Sequence, residues 1–367
     1  LDNLTYFEGL IPPATKKFVI LFSGTRKNKI HDRSKIIRMK NKNAVLGMGN
    51  ALVDVINILE NDTTLAKFGL PRGSMTLVDA ELSRKIFEAT RFNQRQITTG
   101  GSAANTIHSL AALGATCGYI GKIGKDELGE TFQQEFERKQ ISTFLISGEI
   151  ETGRVMALVS PDSERTMATY LGAAAELKAE ELSAEMFRDF SIFYIEGYLV
   201  QNHKLIETAV DLARKEGLNV AIDLSSFNIV EQNLSFLKKL VAEKVDIVFA
   251  NEEEARAFTG KQPQEALTEM AAMCDLAVVK TGKEGSLSQR GNEKAKVGII
   301  EAIAIDTTGA GDNYAAGFLY GLTKGLSLEK CGQIAALVSG KVVEVMGAKI
   351  PENKWVEILE KVKEIES

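Results

Sequence analysis

The chain reads as an α/β protein: a mostly parallel sheet covered on both faces by helices, with a small β-sheet lid. Three observations predict this. From residue 191 onward, short strands that are apolar throughout alternate with amphipathic helices, the pattern of strands buried on both faces. Two earlier β-like clusters, one over 52–58 and 73–78 and one over 153–170, break that alternation and are expected to pair as a small sheet over the carboxyl ends of the parallel strands. Late in the chain a glycine-rich turn, Gly309-Ala310-Gly311, runs straight into an apolar helical stretch.

In chain order, Ala44–Gly49 is a buried strand ending in a turn. LVDVINI (52–58) and GSMTLV (73–78) are further strands, and a helix follows from Asp79 to Thr90. Gly100 and Gly101 precede an alanine-rich helix over 102–113 that stops at Gly114. Strand 116–121, helix 126–139 and strand 141–146 come next, then β-like segments around 153–160 and 165–170. The clean alternation gives strands 191–195, 219–223, 245–249 and 276–280, with helices 203–215, 231–242, 252–258 and 263–273 between them. A hairpin over 284–290 and 295–300 leads to the glycine-rich turn, and helices fill 310–323, 328–346 and 352–365. There is no internal repeat, linker or low-complexity stretch.

Bulk properties exclude several classes. The 367 residues suffice for one large α/β domain or two medium ones, and 44% hydrophobic with 25% charged residues is ordinary for a globular protein. A net charge of −5 gives no support for nucleic acid or an anionic membrane as partner. Cys117, Cys274 and Cys331 stand far apart in apolar contexts, so they are expected to be free thiols in a reducing cytoplasm. His31, His108 and His203 are too scattered for a metal site. No run has the length of a membrane span, and Phe18–Phe22 is too short for a signal-peptide core. Residues 1–38 are basic, lack amphipathic periodicity and contain no methionine; they are expected to be a non-native or disordered leader ahead of a single domain over 39–367. Asn3-Leu4-Thr5 fits a glycosylation sequon by chance.

The chemistry concentrates in IDTTGAGDNYAAGF (305–318). A glycine-rich turn opening a helix offers unpaired N–H groups and the positive end of a dipole, which suits an anion. A carboxylate in that turn, Asp312, is out of place if the turn only binds anions. It makes sense if Asp312 takes a proton from a hydroxyl while the N–H groups of Gly309, Ala310 and Gly311 steady a phosphoryl group. The plainer alternative is a helix start capped by Asp. Neither G-x-x-x-x-G-K-[ST] nor a protein-kinase signature is present, and Gly47-Met48-Gly49-Asn50 lacks the third glycine of a dinucleotide fingerprint.

Other candidates surround it. Asn50 and Asp54 offer an amide and a carboxylate to a vicinal diol, or are a turn Asn and a surface Asp. Gly100-Gly101-Ser102-Ala103-Ala104-Asn105 lets a ligand approach the backbone and gives Asn105 a hydroxyl to read; Ser102 as N-cap is the plainer view. Asn251-Glu252-Glu253-Glu254 follows an apolar strand. Its acids complement a helix dipole, or Asn251 and Glu254 face a hydrated Mg²⁺ carried by a nucleotide. Val278-Val279-Lys280-Thr281-Gly282-Lys283-Glu284-Gly285 is a strand entering a glycine turn with two lysines, fit for a nucleotide's phosphates or ribose, or a plain β-turn.

Together these elements resemble the ribokinase-like (PfkB) family of carbohydrate and nucleoside kinases. The resemblance spans residues 44–365 in order: Gly-Gly at 100–105, N-x-x-E at 251–254 and D-T-x-G-A-G-D at 306–312. Gly47–Asn50 with Asp54, and Gly100–Asn105, look most like the adenosine kinase branch. The resemblance implies a three-layer αβα sandwich with a small β lid from segments near 50–78 and 150–172. It implies an ATP- and Mg²⁺-dependent phosphotransferase acting on the primary hydroxyl of a nucleoside or furanose sugar, cytoplasmic, and a monomer or a homodimer through the lid. By position, Asp312 matches the base and Gly309, Ala310 and Gly311 the anion hole. Asn50, Asp54, Gly100, Gly101 and Asn105 match the acceptor site. Asn251 and Glu254 match the metal-and-phosphate motif, acting on the metal through water. Thr281, Gly282 and Gly285 match the nucleotide turn, and Arg165 matches a lid arginine that reaches the transferring phosphate. Asn313-Tyr314 replaces the commoner small residue and Phe after the base. Lid aromatics are sparse, with Tyr170, Phe68 and Met156 the nearest candidates to stack on a purine. Two further classes stay in view: a non-catalytic sugar- or nucleotide-binding protein on the same fold, and a doubly wound dehydrogenase, disfavoured by the missing glycine.

Overall fold

The computed structural model describes residues 43–162 and 164–367; the leader expected over 1–38 lies outside the described residues. The strands are β1 (Ala44–Met48), β2 (Leu52–Ile58), β3 (Met75–Leu77), β4 (Arg95–Gly100), β5 (Thr116–Ile123), β6 (Ser142–Ser147) and β7 (Thr152–Val159), then β8 (Arg165–Gly172), β9 (Ile192–Glu196), β10 (Asn219–Asp223), β11 (Ile247–Asn251), β12 (Leu276–Lys280), β13 (Ser286–Arg290) and β14 (Glu293–Val297). Nine form one sheet in the order β14-β13-β12-β11-β10-β9-β1-β5-β6, parallel except where β13 runs antiparallel to both β12 and β14. The other five form the expected second sheet, β3-β8-β7-β2-β4.

Period-two alternation explains the three layers. Val45, Tyr194, Ala221, Phe249 and Val278 point to one face, where they meet helices Ser102–Ala112, Glu127–Arg138, Ala310–Thr323, Leu328–Val342 and Trp355–Glu366. Leu46, Ile195, Ile222, Val248 and Val279 point to the other, against helices His203–Lys215, Leu234–Lys244, Glu252–Thr259 and Pro263–Met273. Both sides of each central strand are thus buried, which is why these strands are apolar throughout. Helix starts follow capping chemistry: the Asp79 carboxylate accepts from Leu82 N–H, and that of Asp126 from Gly129 N–H.

Three expectations need correction. The strand expected over 245–249 is Ile247–Asn251; Asp246 just before it bonds both neighbouring strands, its N–H donating to the Val220 carbonyl and its carbonyl accepting from Leu276 N–H, while its carboxylate takes the Val220 N–H at 2.7 Å. The helix expected over 231–242 is two, Phe227–Gln232 and Leu234–Lys244, broken at Asn233, whose amide donates back to the Ile229 carbonyl. The helix expected over 328–346 stops at Val342, since Val343–Gly347 fold back on the turn before Ala310: Ile305 N–H reaches the Val343 carbonyl, and Gly347 N–H the Asp306 carboxylate. Helix Thr63–Phe68 and edge strand β4 were not foreseen. Among the described residues no helix is long and apolar enough to cross a membrane.

Helices Ala310–Thr323 and Leu328–Val342 touch backbone to backbone. A side chain added at Gly317 would begin 2.7 Å from Ala335 Cα, and one at Gly321 would begin 2.8 Å from Cys331 Sγ. Gly317→Ala is expected to push the helices apart and cost about 1–3 kcal/mol through overpacking. A thermal melt reads this as a lower Tm; an unchanged Tm would show that the helices part freely.

Candidate active site

Four neighbouring parallel strands each end on one polar residue: β9 on Glu196, β10 on Asp223, β11 on Asn251 and β12 on Lys280. Register places Asp223 beside Glu196, and Asn251 beside Lys280. All four line one cavity of ≈ 1510 Å³ that reaches from the small sheet to the loop around Ile300. That volume exceeds a single drug-sized site, about 300–1,000 Å³, and suits two ligands end to end.

Asp312 lies in the first turn of helix Ala310–Thr323, behind Gly309, whose φ of 74° is a left-handed conformation. Its two carboxylate oxygens accept from Ser102 Oγ at 2.7 Å and Asn105 Nδ2 at 3.0 Å. Those donors come from the first turn of helix Ser102–Ala112, so two helix N-termini meet at this one carboxylate. Gly101, at φ 98°, lies so close to the Asn50 carbonyl oxygen that a side chain there would collide with it. Asn105 Oδ1 is buried without a partner. Glu196, 1% exposed, accepts from Asn50 Nδ2 and, at 3.1 Å, from Ala103 N–H.

The small sheet meets the same helix start. Arg165, at the head of β8, donates to the Asp306 carboxylate and, at 2.9 Å, to Thr308 Oγ1; its Nε is buried without a partner. Asp306 also accepts from Thr308 N–H, Thr308 Oγ1 and Gly347 N–H. Burial opposes its ionisation, but the Gly347 and Thr308 bonds and Arg165 outweigh that and hold its carboxyl below the usual range.

Of the residues singled out in the sequence, Asn50, Asp54, Gly101, Asn105, Arg165, Asn251, Glu254, Gly282, Gly285, Ala310, Gly311 and Asp312 line the cavity together. Gly100, Thr281 and Gly309 stand behind its wall: Gly100 passes against the Asp54 carboxylate, Thr281 donates its N–H to the Gly285 carbonyl, and Gly309 packs on Ala348. The stacking candidates Tyr170, Phe68 and Met156 do not reach it. On β7 and β8 strand parity turns Val155, Ala157, Met167, Thr169 and Leu171 inward, and Met156 and Tyr170 to the far face. With Leu52 and, from the sandwich, Tyr198, they give the cavity an apolar wall. Sequence reasoning passed over Glu196 and Asp223, and it named Ser102 and Asp306 within motifs without giving them a place in the site. For Glu196 and Asp223 a signal existed: a single polar residue closing an otherwise apolar strand.

Glu254 and Asn251 form a reciprocal capping box, the carboxylate accepting from Asn251 N–H and Nδ2, each at 2.7 Å, while Glu254 N–H donates to Asn251 Oδ1. Among the described residues no group of three or more His, Cys, Asp or Glu is placed to grip a metal directly. Lys280 Nζ donates to Asp223 Oδ2 at 2.8 Å.

Burial dominates the acid titrations. It raises Glu196 to about 7 against the Ala103 and Asn50 bonds, and Glu254 to about 7 with help from Asp223. It raises Asp54 to about 6 against Lys349 and Arg165, and Asp312 to about 6 against Asn105 and Ser102. The folded state therefore disfavours the Asp312 carboxylate. Its contribution to stability is whole below the ordinary 3.8 and is lost as pH rises through about 6. Asp312→Asn can still bond both Ser102 and Asn105. It is expected to melt above the wild type at about pH 8, with the gap closing towards about pH 4. Equal melting temperatures at both pH values would show that the carboxylate is not strained.

Comparison with known proteins agrees with this geometry. Residues 72–355 match the family described as pfkB family carbohydrate kinase. The structure of an adenosine kinase from Sinorhizobium meliloti superimposes with a TM-score of 0.77 at 35% identity, over 89% of this chain and 99% of that one. That of a probable sugar kinase from Rhizobium etli CFN 42 gives 0.78 at 34%, over 88% and 98%. The adenosine kinase of Saccharomyces cerevisiae is 29% identical over 84% of this chain and 96% of its own. The family match covers most of the chain, and both solved relatives superimpose on nearly nine-tenths of it: the protein belongs to the pfkB family of carbohydrate kinases.

Proposed function

We propose that the chain transfers the γ-phosphoryl group of ATP to the primary hydroxyl of a nucleoside. The observation that carries this is Asp312: a carboxylate with a raised pKa, in the first turn of a helix, lining one cavity together with the small sheet and the Gly282–Gly285 turn. On one side lie Asp54, Asn105 and the apolar inner wall of Leu52, Val155, Ala157, Met167 and Leu171. On the other lie Gly282, Gly285 and the Ile299–Ala304 loop.

The acceptor's ring hydroxyls fall to Asp54 and to the unpartnered Asn105 Oδ1. An aliphatic wall suits the faces of a heterocyclic base better than a free sugar, which would leave its hydroxyls unpaired there. Asp312 takes the hydroxyl proton, the acceptor oxygen bonds to the γ-phosphorus, and the bond from that phosphorus to the bridging oxygen breaks, its electron pair leaving with ADP. The N–H groups of Gly309 and Gly311 and the guanidinium of Arg165 face the charge on the group in transit, while the Ala310 N–H donates to the Thr307 carbonyl. Asn251 and Glu254 fit a hydrated Mg²⁺ held through its waters, since both Glu254 oxygens already accept a hydrogen bond and, among the described residues, no three His, Cys, Asp or Glu gather to bind it directly. Bound with the nucleotide, the ion would neutralise phosphate charge. The small sheet acts as the lid, with Arg165 its link to the reacting centre.

A free furanose sugar is the second reading, favoured because, among the described residues, the small sheet brings no aromatic side chain to the cavity. ATP consumption measured across adenosine, other nucleosides, ribose, fructose and fructose phosphates separates them; turnover with phosphorylated sugars alone would sink the nucleoside assignment. Asp312→Asn should lose turnover by about 10²–10⁴-fold while still binding nucleoside, as read by calorimetry. Full turnover in that variant would remove the base. For the wild type, kcat/KM should fall as pH drops through about 6, because the base works only when ionised. Glu196 and Glu254, at about 7, widen that acid limb.

A further inference from the structure

Lys280 has no part in the scheme above, yet it is the one cation in the row of polar strand ends. Its Nζ lies 3.3 Å from the point where a side chain on Gly311 would begin. The ammonium therefore occupies the space that glycine leaves open over the first turn of the Asp312 helix, in the wall of the cavity. Asp223 Oδ2 takes one of its three N–H donors at 2.8 Å. Asp223 in turn accepts from Ser225 N–H, which fixes the carboxylate and so the lysine.

A buried ion pair contributes little net stability, because desolvating both charges offsets their attraction. What this pair does do is fix a cation, without reorganisation, beside the glycine-rich turn that opens the Asp312 helix. We propose that Lys280 is a catalytic residue of the phosphoryl transfer, its ammonium contacting oxygens of the transferring group over Gly311. The proposal rests on the kinase reading and adds a second cation to Arg165, this one from the sandwich. Lys280 moves no proton. The acceptor's proton goes to Asp312 and the electron pair of the breaking P–O bond leaves with ADP, while the ammonium balances charge gathering on the phosphoryl oxygens. Burial works against its charged form, but Asp223 and Glu254 outweigh this and hold its pKa above the ordinary lysine value.

The test is a cycle of wild type, Lys280→Met, Asp223→Asn and the double variant, scored for kcat, both KM values and ADP binding by calorimetry. Met keeps the apolar stem without the charge. Lys280→Met is expected to lower kcat about 10²–10³-fold with ADP binding within about threefold, since the contact is to the group that ADP lacks. In the Asp223→Asn background, where no buried acid is orphaned, the same substitution should cost a similar factor. If it costs nothing there, Lys280 only neutralises Asp223 and the proposal is overturned; kcat within about threefold of wild type in Lys280→Met overturns it too. Either result leaves the kinase reading standing provided Asp312→Asn is inactive. A wild type that transfers phosphate to no acceptor would instead overturn the kinase reading, and this proposal with it.

Discussion

Everything at this site depends on two helix N-termini being held against one carboxylate. Helices Ser102–Ala112 and Ala310–Thr323 each begin behind a glycine of positive φ, Gly101 and Gly309. Each glycine also makes a backbone approach that a side chain would block, one to the Asn50 carbonyl and one to Ala348. Asn313, fully buried, locks the arrangement. Its amide donates to the Gly309 and Ala348 carbonyls, and its oxygen accepts from Ser109 on the other helix. Asn313, where the family more commonly has a small side chain, therefore has a mechanical role, fixing the pitch between the two turns that flank Asp312.

Asp306 extends this rigidity to the small sheet. One carboxylate gathers Thr308, Gly347 and Arg165, so the turn before the helix, the loop after Val342 and the head of β8 share one anchor. Only Arg165 is brought by the small sheet. Whatever moves that sheet moves a guanidinium relative to the Gly309–Gly311 turn, so the sheet and the turn are mechanically joined.

How much of this could be read beforehand follows from the range of each signal. The parallel strands were legible because burial on both faces leaves an unbroken apolar run, and Asn251–Glu254 because a capping box is a local pattern. Strand β4 was missed because its first three residues, Arg95, Gln96 and Ile97, are exposed on a sheet edge, so no apolar run marks it. Tyr170 and Met156 were misassigned for a different reason. Parity along β7 and β8 is fixed by pairing with β2 and by the turn between them, and one step in register exchanges the two faces. The contact from Arg165 to Asp306 crosses 141 residues of sequence, and no local pattern encodes it. Glu196 and Asp223 were readable in principle, since each closes a strand at the end where such sheets bind ligands; Lys280 was legible as one of the two lysines of the 278–285 turn.

The same row of strand ends carries an electrostatic cost. Glu196, Asp223 and Glu254 are all less than 5% exposed, and burial lifts two of them towards neutrality. A fold selected for stability alone would fill these positions with apolar side chains, because the strands beneath them are already apolar and the sheet is covered on both faces. The cost is tolerable because each acid is hydrogen-bonded: Glu196 to Asn50 and Ala103, Asp223 to Ser225 and Lys280, Glu254 to Asn251. Those bonds fix the acids in place as well as satisfying them. A phosphoryl group entering the cavity would meet dipoles and charges that need not reorient, and that preorganisation is what the strained carboxylates and the paired lysine obtain in exchange for stability.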